Sequence, residues 1–196
     1  MFNLSNLLVS MVGIAIAISV HEFGHAYSAH LLGDDTAKYN GRMTLNPAKH
    51  VDPIGLITLL LFRIGWAKPV PVNPNNFKNY KLGNVIVSLS GAIGNLFGAI
   101  LCGIIAKYSN MYAINLIFYN AMWINIYFGA FNLLPIPPLD GWGVLSSLLP
   151  YKFNDFIYKY ENVGYVVLLI AIFTDAYLIF TKPITIAFYT IVSIFV

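Results

Sequence analysis

The segment LLVSMVGIAIAISVHEFGHAYSAHLL, Leu7 to Leu32, begins with an uncharged run and then sets His21, Glu22 and His25 into the same apolar stretch. Counted from Leu4 to Leu32, a helix rising ~1.5 Å per residue exceeds the ~30 Å hydrocarbon layer, so the segment reads as a first membrane span whose last turns protrude or tilt. Gly33-Asp34-Asp35 stops it. Two imidazoles and a carboxylate at such depth cost several kcal/mol unless something replaces their lost solvation. On a helix, positions i and i+4 share a face, so His21 and His25 can both aim a ring nitrogen at one metal ion. Glu22 lies about a third of a turn from His21, close enough to move a proton without having to ligate.

The rest of the composition fits a bilayer. Of 196 residues, 58% are hydrophobic and only 10% charged, and the mean hydropathy is +0.71, which excludes one soluble core under a solvated surface. A net charge of +3, spread along the chain without a basic run, excludes nucleic acid as a partner. Met1 to Ser5 carries no Lys or Arg, and no small-residue cleavage site precedes HEFGH, so the first span is expected to stay in the mature protein. Cys102, the one cysteine, stands in an apolar stretch and reads as packing.

Along the chain, Val85 to Ala106 reads as a second full span and Ala113 to Phe131 as a third, with a tight turn at KYSNMY between them. Ile54 to Phe62 is apolar but too short to cross, which suggests a re-entrant or interfacial element. AKPVPVNP, Ala67 to Pro74, is too rich in proline for a helix and should be extended. NLLPIPPLDGWG, Asn132 to Gly143, breaks the helical pattern at membrane depth, where only protein or a water-filled cavity satisfies irregular backbone. Val163 to Phe180 and, past Lys182-Pro183, an apolar tail follow. The fold class is therefore an all-α polytopic membrane protein of about five or six membrane helices, with a short extended or re-entrant region between the first two full spans. Seven of the eleven basic residues fall between Gly33 and Gly83, which assigns that loop to the cytoplasm and the N-terminus to the outside. His21 and His25 then lie about 10 to 16 Å from the Leu32 end of their helix, nearer the cytoplasmic face.

A catalytic zinc needs a third protein ligand and one open position. Asp34, Asp35, Asp52, Asp155 and Glu161 fall in polar loops or their borders and read as solvated caps or turn residues. Asp175 is embedded in a helix that nothing nearby breaks, where it could pair with Lys182. Asp140 follows the proline-broken LLPIPP and precedes Gly141, so it can project from irregular backbone; on spacing and chemistry it weighs as much as the other acids together. Asn132 either terminates the third span, the reading its position favours, or donates to a polarised peptide carbonyl. Asn95 lies in SGAIGNLFG, where Gly94 and Gly98 bring helices close, and packing is favoured over contact with substrate. His30 lies off the HEFGH stripe and reads as interfacial. His50 either supports the site or is a solvated loop histidine.

With those residues in hand, the chain resembles the site-2 protease family of intramembrane zinc metalloproteases, in its short prokaryotic branch without PDZ or CBS modules. HEFGHAYSAHLLGDDTA, GRMTLNPAKHVDPIG, GWAKPVPVNP, SGAIGNL and NLLPIPPLDG carry the resemblance, in that order, over about Val20 to Gly143. It implies that His21, His25 and Asp140 hold one zinc ion per chain, that Glu22 is general base and acid, and that Asn132 helps to stabilise the oxyanion. It also implies a single intramembrane protease domain over residues 1–196, with a core at 4–143 and C-terminal helices at 163–196. The expected activity is hydrolysis of peptide bonds within or near membrane spans, its substrates single-span membrane proteins or signal-peptide remnants, in a prokaryotic cell membrane. By the same analogy the substrate docks as an extended strand, for which AKPVPVNP offers an edge. SGAIGN departs from the family in having Ala92 where Gly-Pro is frequent before the asparagine. The alternative is a divalent-metal transporter using the same His and Asp residues. It is disfavoured because a transport route needs further polar constellations or repeated halves, and the sequence offers neither.

Overall fold

A computed structural model describes residues 4–55, Thr58 and 65–196, with the side chains of Leu4, Tyr151, 154–158 and 160–162 excepted. The helices are α1 (Leu4–Leu31), α2 (Thr36–Tyr39), α3 (Tyr80–Tyr108), α4 (Tyr112–Asn132), α5 (Asp140–Leu148), α6 (Asn154–Phe173) and α7 (Leu178–Val192). Among the described residues there is no strand, only an isolated antiparallel bridge between Val51 and Ala67. The expected re-entrant element, Ile54 to Phe62, lies outside the described residues except for Ile54, Gly55 and Thr58.

α1 ends as its sequence predicts. Gly33 takes the left-handed conformation, φ 101°, and the Asp34 N–H reaches back to the Ala29 carbonyl at 2.9 Å. α1, α3 and α4 pack against one another in all three pairings, α5 lies on α3, and α7 covers α4 and α3. One apolar cluster joins Ala99 and Cys102 of α3 to Ala121, Met122 and Ile126 of α4 and Val192 of α7, so Cys102 is packing as expected.

α3 is built inside out by the standard of a soluble helix. Ile93, Phe97 and Leu101 face outward, Phe97 with 63% of its surface exposed, while Asn95, 0% exposed, faces the bundle. Small residues at Gly91, Gly94 and Gly98 share that inner side, and a β-carbon at Gly94 would stand 2.6 Å from the Val20 carbonyl of α1. Lipid is as apolar as leucine, so such a bundle is held by close backbone approach and buried hydrogen bonds rather than by an oily interior.

Among the described residues, two helices are long and apolar enough to cross a membrane, Ser5–Leu31 and Tyr80–Tyr108, and a bent pair, Val163–Phe173 with Leu178–Val192, makes a third if counted as one span. The expected five or six spans are not confirmed. α4 was expected to be the third span and has the length, but Asn115, Asn120, Asn125 and Asn132 offset its apolar residues. The C-terminal break also differs. Pro183 lies inside α7, and the chain instead turns by 77° at Thr174–Tyr177, where Asp175 takes φ 57°. Aspartate tolerates the left-handed conformation better than most residues, so a sharp turn forms without Gly or Pro. Among the described residues no ion pair joins Asp175 to Lys182.

Candidate metal centre

HEFGH lies within α1, whose two histidines face the same way. Gly91 of α3 makes room for them, since a β-carbon there would stand 2.5 Å from His25 Nε2 and 2.6 Å from His21 Cε1. The third donor arrives from far along the chain. Leu133 to Leu139 interrupt the helices, with a cis bond between Pro137 and Pro138, and Asp140 then opens α5 as its first residue. The sequence reading left DGWG in the irregular stretch; in the structure it is the first turn of a helix, where a carboxylate is favoured by the helix dipole.

Asp140 Oδ2 lies 3.1 Å from His21 Nε2 and 3.2 Å from His25 Nε2, and the two nitrogens are 3.1 Å apart. Each ring is fixed on its far side. His21 Nδ1 is 2.8 Å from Asn95 Oδ1, and His25 Nδ1 is 2.7 Å from the Val87 carbonyl. Both partners accept, so both Nδ1 atoms carry a proton, and Nε2 is the atom of each ring left to ligate. Apart from those ring nitrogens, no hydrogen-bond donor reaches the buried Asp140 Oδ2 among the described residues. Three electron-pair donors thus converge and repel unless a positive charge sits among them. Two imidazoles and one carboxylate suit a zinc ion and leave one of its four usual positions open. Among the described residues these three form the one cluster of metal-ligating side chains.

Glu22 stands apart from the triad. It is 7% exposed, and its Oε2 accepts the Val70 N–H at 2.7 Å. Val70 lies between Pro69 and Pro71, which have no N–H, so this stretch of the strap offers one donor and aims it at Glu22. The strap, residues 67–73, forms no helix and is extended at Asn73, φ -112° and ψ 97°, whereas Pro74, also expected to be extended, opens a short 3-10 helix, Pro74–Asn76. Arg42 Nη2 donates to the Lys68 carbonyl at 2.7 Å and to that of Pro69 at 3.3 Å, the Lys68 N–H donates to the His50 carbonyl at 2.8 Å, and the Asn73 N–H donates to Asp34 Oδ2 at 2.7 Å. The Lys68 N–H and carbonyl, the Pro69 carbonyl and the Val70 N–H are therefore already engaged, which leaves less of this edge free than the sequence suggested.

Other expectations divide. His30 pairs with Asp35 at the end of α1, Nδ1 to Oδ1 2.5 Å, away from the triad. His50 is not a solvated loop residue: it is 0% exposed, and its Nε2 donates to the Thr44 carbonyl at 2.8 Å. Asp34 is not solvated either. Also 0% exposed, it accepts hydrogen bonds from Thr36, Asn73 and Asn76. Burial pushes its carboxyl up, but those hydrogen bonds outweigh burial and hold it below the usual carboxylate range. Asn132 ends α4 and donates to the Phe128 carbonyl at 2.9 Å, with no hydrogen bond to the triad. Asn95 was read as packing; it is the direct partner of His21. An asparagine between Gly94 and Gly98 in an apolar helix was the signal, but its partner could not be read.

The comparisons with known proteins agree with this chemistry. The model described as peptidase family M50 matches residues 72–174, which include Asp140 but not HEFGH. "Putative zinc metalloprotease YwhC" of Bacillus subtilis is 36% identical over 183 residues, covering 88% of this chain and 84% of the relative. "Putative zinc metalloprotease Rip2" of Mycolicibacterium smegmatis is 29% identical over 184 residues, 86% of this chain and 68% of the relative. No solved structure matches. Matched over most of its length by such relatives and over half by the family model, with apolar membrane helices around the converging donors, the chain belongs to peptidase family M50, the site-2 proteases, and is a membrane metalloprotease.

Proposed function

We propose that the chain is a zinc-dependent endopeptidase that cuts peptide bonds within or beside the spans of membrane proteins, single-span proteins and signal-peptide remnants among them. The convergence of His21 Nε2, His25 Nε2 and Asp140 Oδ2 carries this reading, because three ligand atoms of the types zinc prefers lie within 3.2 Å of one another. These three residues hold one zinc ion. When bound, zinc acts as a Lewis acid toward a substrate carbonyl and lowers the pKa of water toward ~7.

The chain's own groups do the rest. Glu22 takes the proton of the attacking water on a carboxylate oxygen and later returns it to the leaving amine nitrogen. The Val70 N–H holds one of its oxygens and leaves the other to face the reaction. Asn132, whose amide turns toward the site once it leaves the Phe128 carbonyl, donates to the oxygen that gains charge. The substrate helix unwinds locally, since helical carbonyls are engaged and shielded. The basic loop after α1 lies in the cytoplasm, which puts the site nearer that face.

The test uses the full chain in lipid vesicles with a single-span reporter. Glu22→Gln is expected to lose cleavage by about 10²- to 10⁴-fold while keeping its zinc. Cleavage unaffected by Glu22→Gln would overturn the assigned role. Zinc flux across the vesicle, unchanged in that variant and without any cleavage, would favour transport instead.

A further inference from the structure

The two histidines are aligned by different means. His25 is held by a main-chain carbonyl, that of Val87. His21 is held by a side chain, Asn95, and Asn95 by another. The Asn95 amide nitrogen donates to the Ala17 carbonyl at 2.9 Å and to Asn125 Oδ1 at 3.1 Å, and Asn125 in turn donates to the Ala121 carbonyl at 2.8 Å. Both asparagines are 0% exposed.

The order of these bonds leaves no freedom. Asn125, on α4, spends its nitrogen on its own helix and so turns its oxygen toward α3. That oxygen and the Ala17 carbonyl take both N–H groups of Asn95, which leaves the Asn95 oxygen as the one atom able to meet His21 Nδ1. An acceptor there keeps the proton on Nδ1 and the lone pair on Nε2. Gly98 keeps the path clear, since a β-carbon at that position would stand 2.7 Å from Asn125 Oδ1.

We propose that Asn95 and Asn125 are positioning residues that fix the tautomer and orientation of His21, so that its Nε2 can ligate metal. The inference rests on the metal-site reading above. Two fully buried amides at one level of a bilayer bundle are costly to keep unless paired, and here the pairing ends on a ligand. Plain packing glue between α1, α3 and α4 is the rival, and it makes a different prediction.

The experiment titrates the metal-free, detergent-solubilised full chain with Co²⁺, competes it with Zn²⁺, and follows metal-free thermal melting in parallel. Asn95→Leu is expected to weaken metal binding about 10- to 100-fold and to alter the visible Co²⁺ spectrum. Asn95→Asp keeps an acceptor for His21 Nδ1 but loses both N–H donors, so it is expected to lower the melting temperature yet to bind metal closer to wild type than Asn95→Leu and to keep that spectrum. Asn125→Leu, which frees the Asn95 amide to rotate, should fall between the two, and it carries the test if Asn95→Leu does not fold. Wild-type affinity in Asn95→Leu, or equal loss in Asn95→Leu and Asn95→Asp with a matching drop in melting temperature, would overturn the proposal in favour of glue. A wild-type chain that binds neither metal would instead sink the metal-site reading itself.

Discussion

The histidines and the glutamate of HEFGH are neighbours in sequence, yet the molecule holds them by opposite means. His21 and His25 are clamped inside the bundle, between Gly91, Asn95 and Val87 of α3 and Asp140 of α5. Glu22 is held from outside the bundle by one backbone N–H on a loop strap. Helix packing allows little movement where a single β-carbon would collide with both rings. The strap depends on a few hydrogen bonds, accepted from Arg42 and donated to the His50 carbonyl and the Asp34 carboxylate, and local opening of such a segment costs less than opening a helix pair. The proposed metal ligands are thus preorganised, and Glu22, the proposed base, sits on the adjustable side.

That contrast can be broken on the rigid side first. Gly91→Val should have the largest effect, because the added carbons occupy the space of the imidazoles; metal binding and cleavage are both expected to vanish, read by metal analysis and the reporter assay. Retained metal in this variant would show that the rings have room to move. On the strap side the two readouts should separate. Arg42→Ala removes the donor to the Lys68 and Pro69 carbonyls and is expected to slow cleavage about tenfold while bound zinc stays at the wild-type level. Loss of zinc there would erase the distinction between clamp and strap.

The smallest expected effect is on acid stability. Asp34 is held below its ordinary range in the folded chain, so its ionised form adds stability that is complete above the unfolded value of about 3.9 and is lost as pH falls through the lower folded value. Wild type should therefore lose stability more steeply than Asp34→Asn once the pH drops below about 4, measured by thermal melting across a pH series. Parallel curves would remove Asp34 from the account of the strap.

What could be read from the sequence followed local spacing. The i and i+4 histidines, the Gly33 stop and the helix-free prolines of the strap are all properties of a few adjacent residues, and all three stand in the structure. Asp140 lies 115 residues after His25, so residue spacing could weigh it but not choose it; the resemblance chose it, and the geometry brings it to both rings. The Val70 contact with Glu22 and the Asn95 contact with His21 were illegible for the same reason, because nothing in a strand or helix pattern says which distant amide will arrive. The span count is not confirmed, and composition is the reason. A helix carrying four asparagines looks like a span by length, and one of them, Asn125, turns out to serve the interior. The C-terminal break failed on a weak rule, since Pro183 is tolerated within α7 while Asp175 makes the turn.

The most direct measurement is the zinc content of the purified, active full chain beside its Asp140→Ala variant. One zinc per chain in the wild type and in Glu22→Gln, with almost none in Asp140→Ala, is the predicted result. Active wild-type protein free of metal, or Asp140→Ala with its full complement of zinc, would contradict the account.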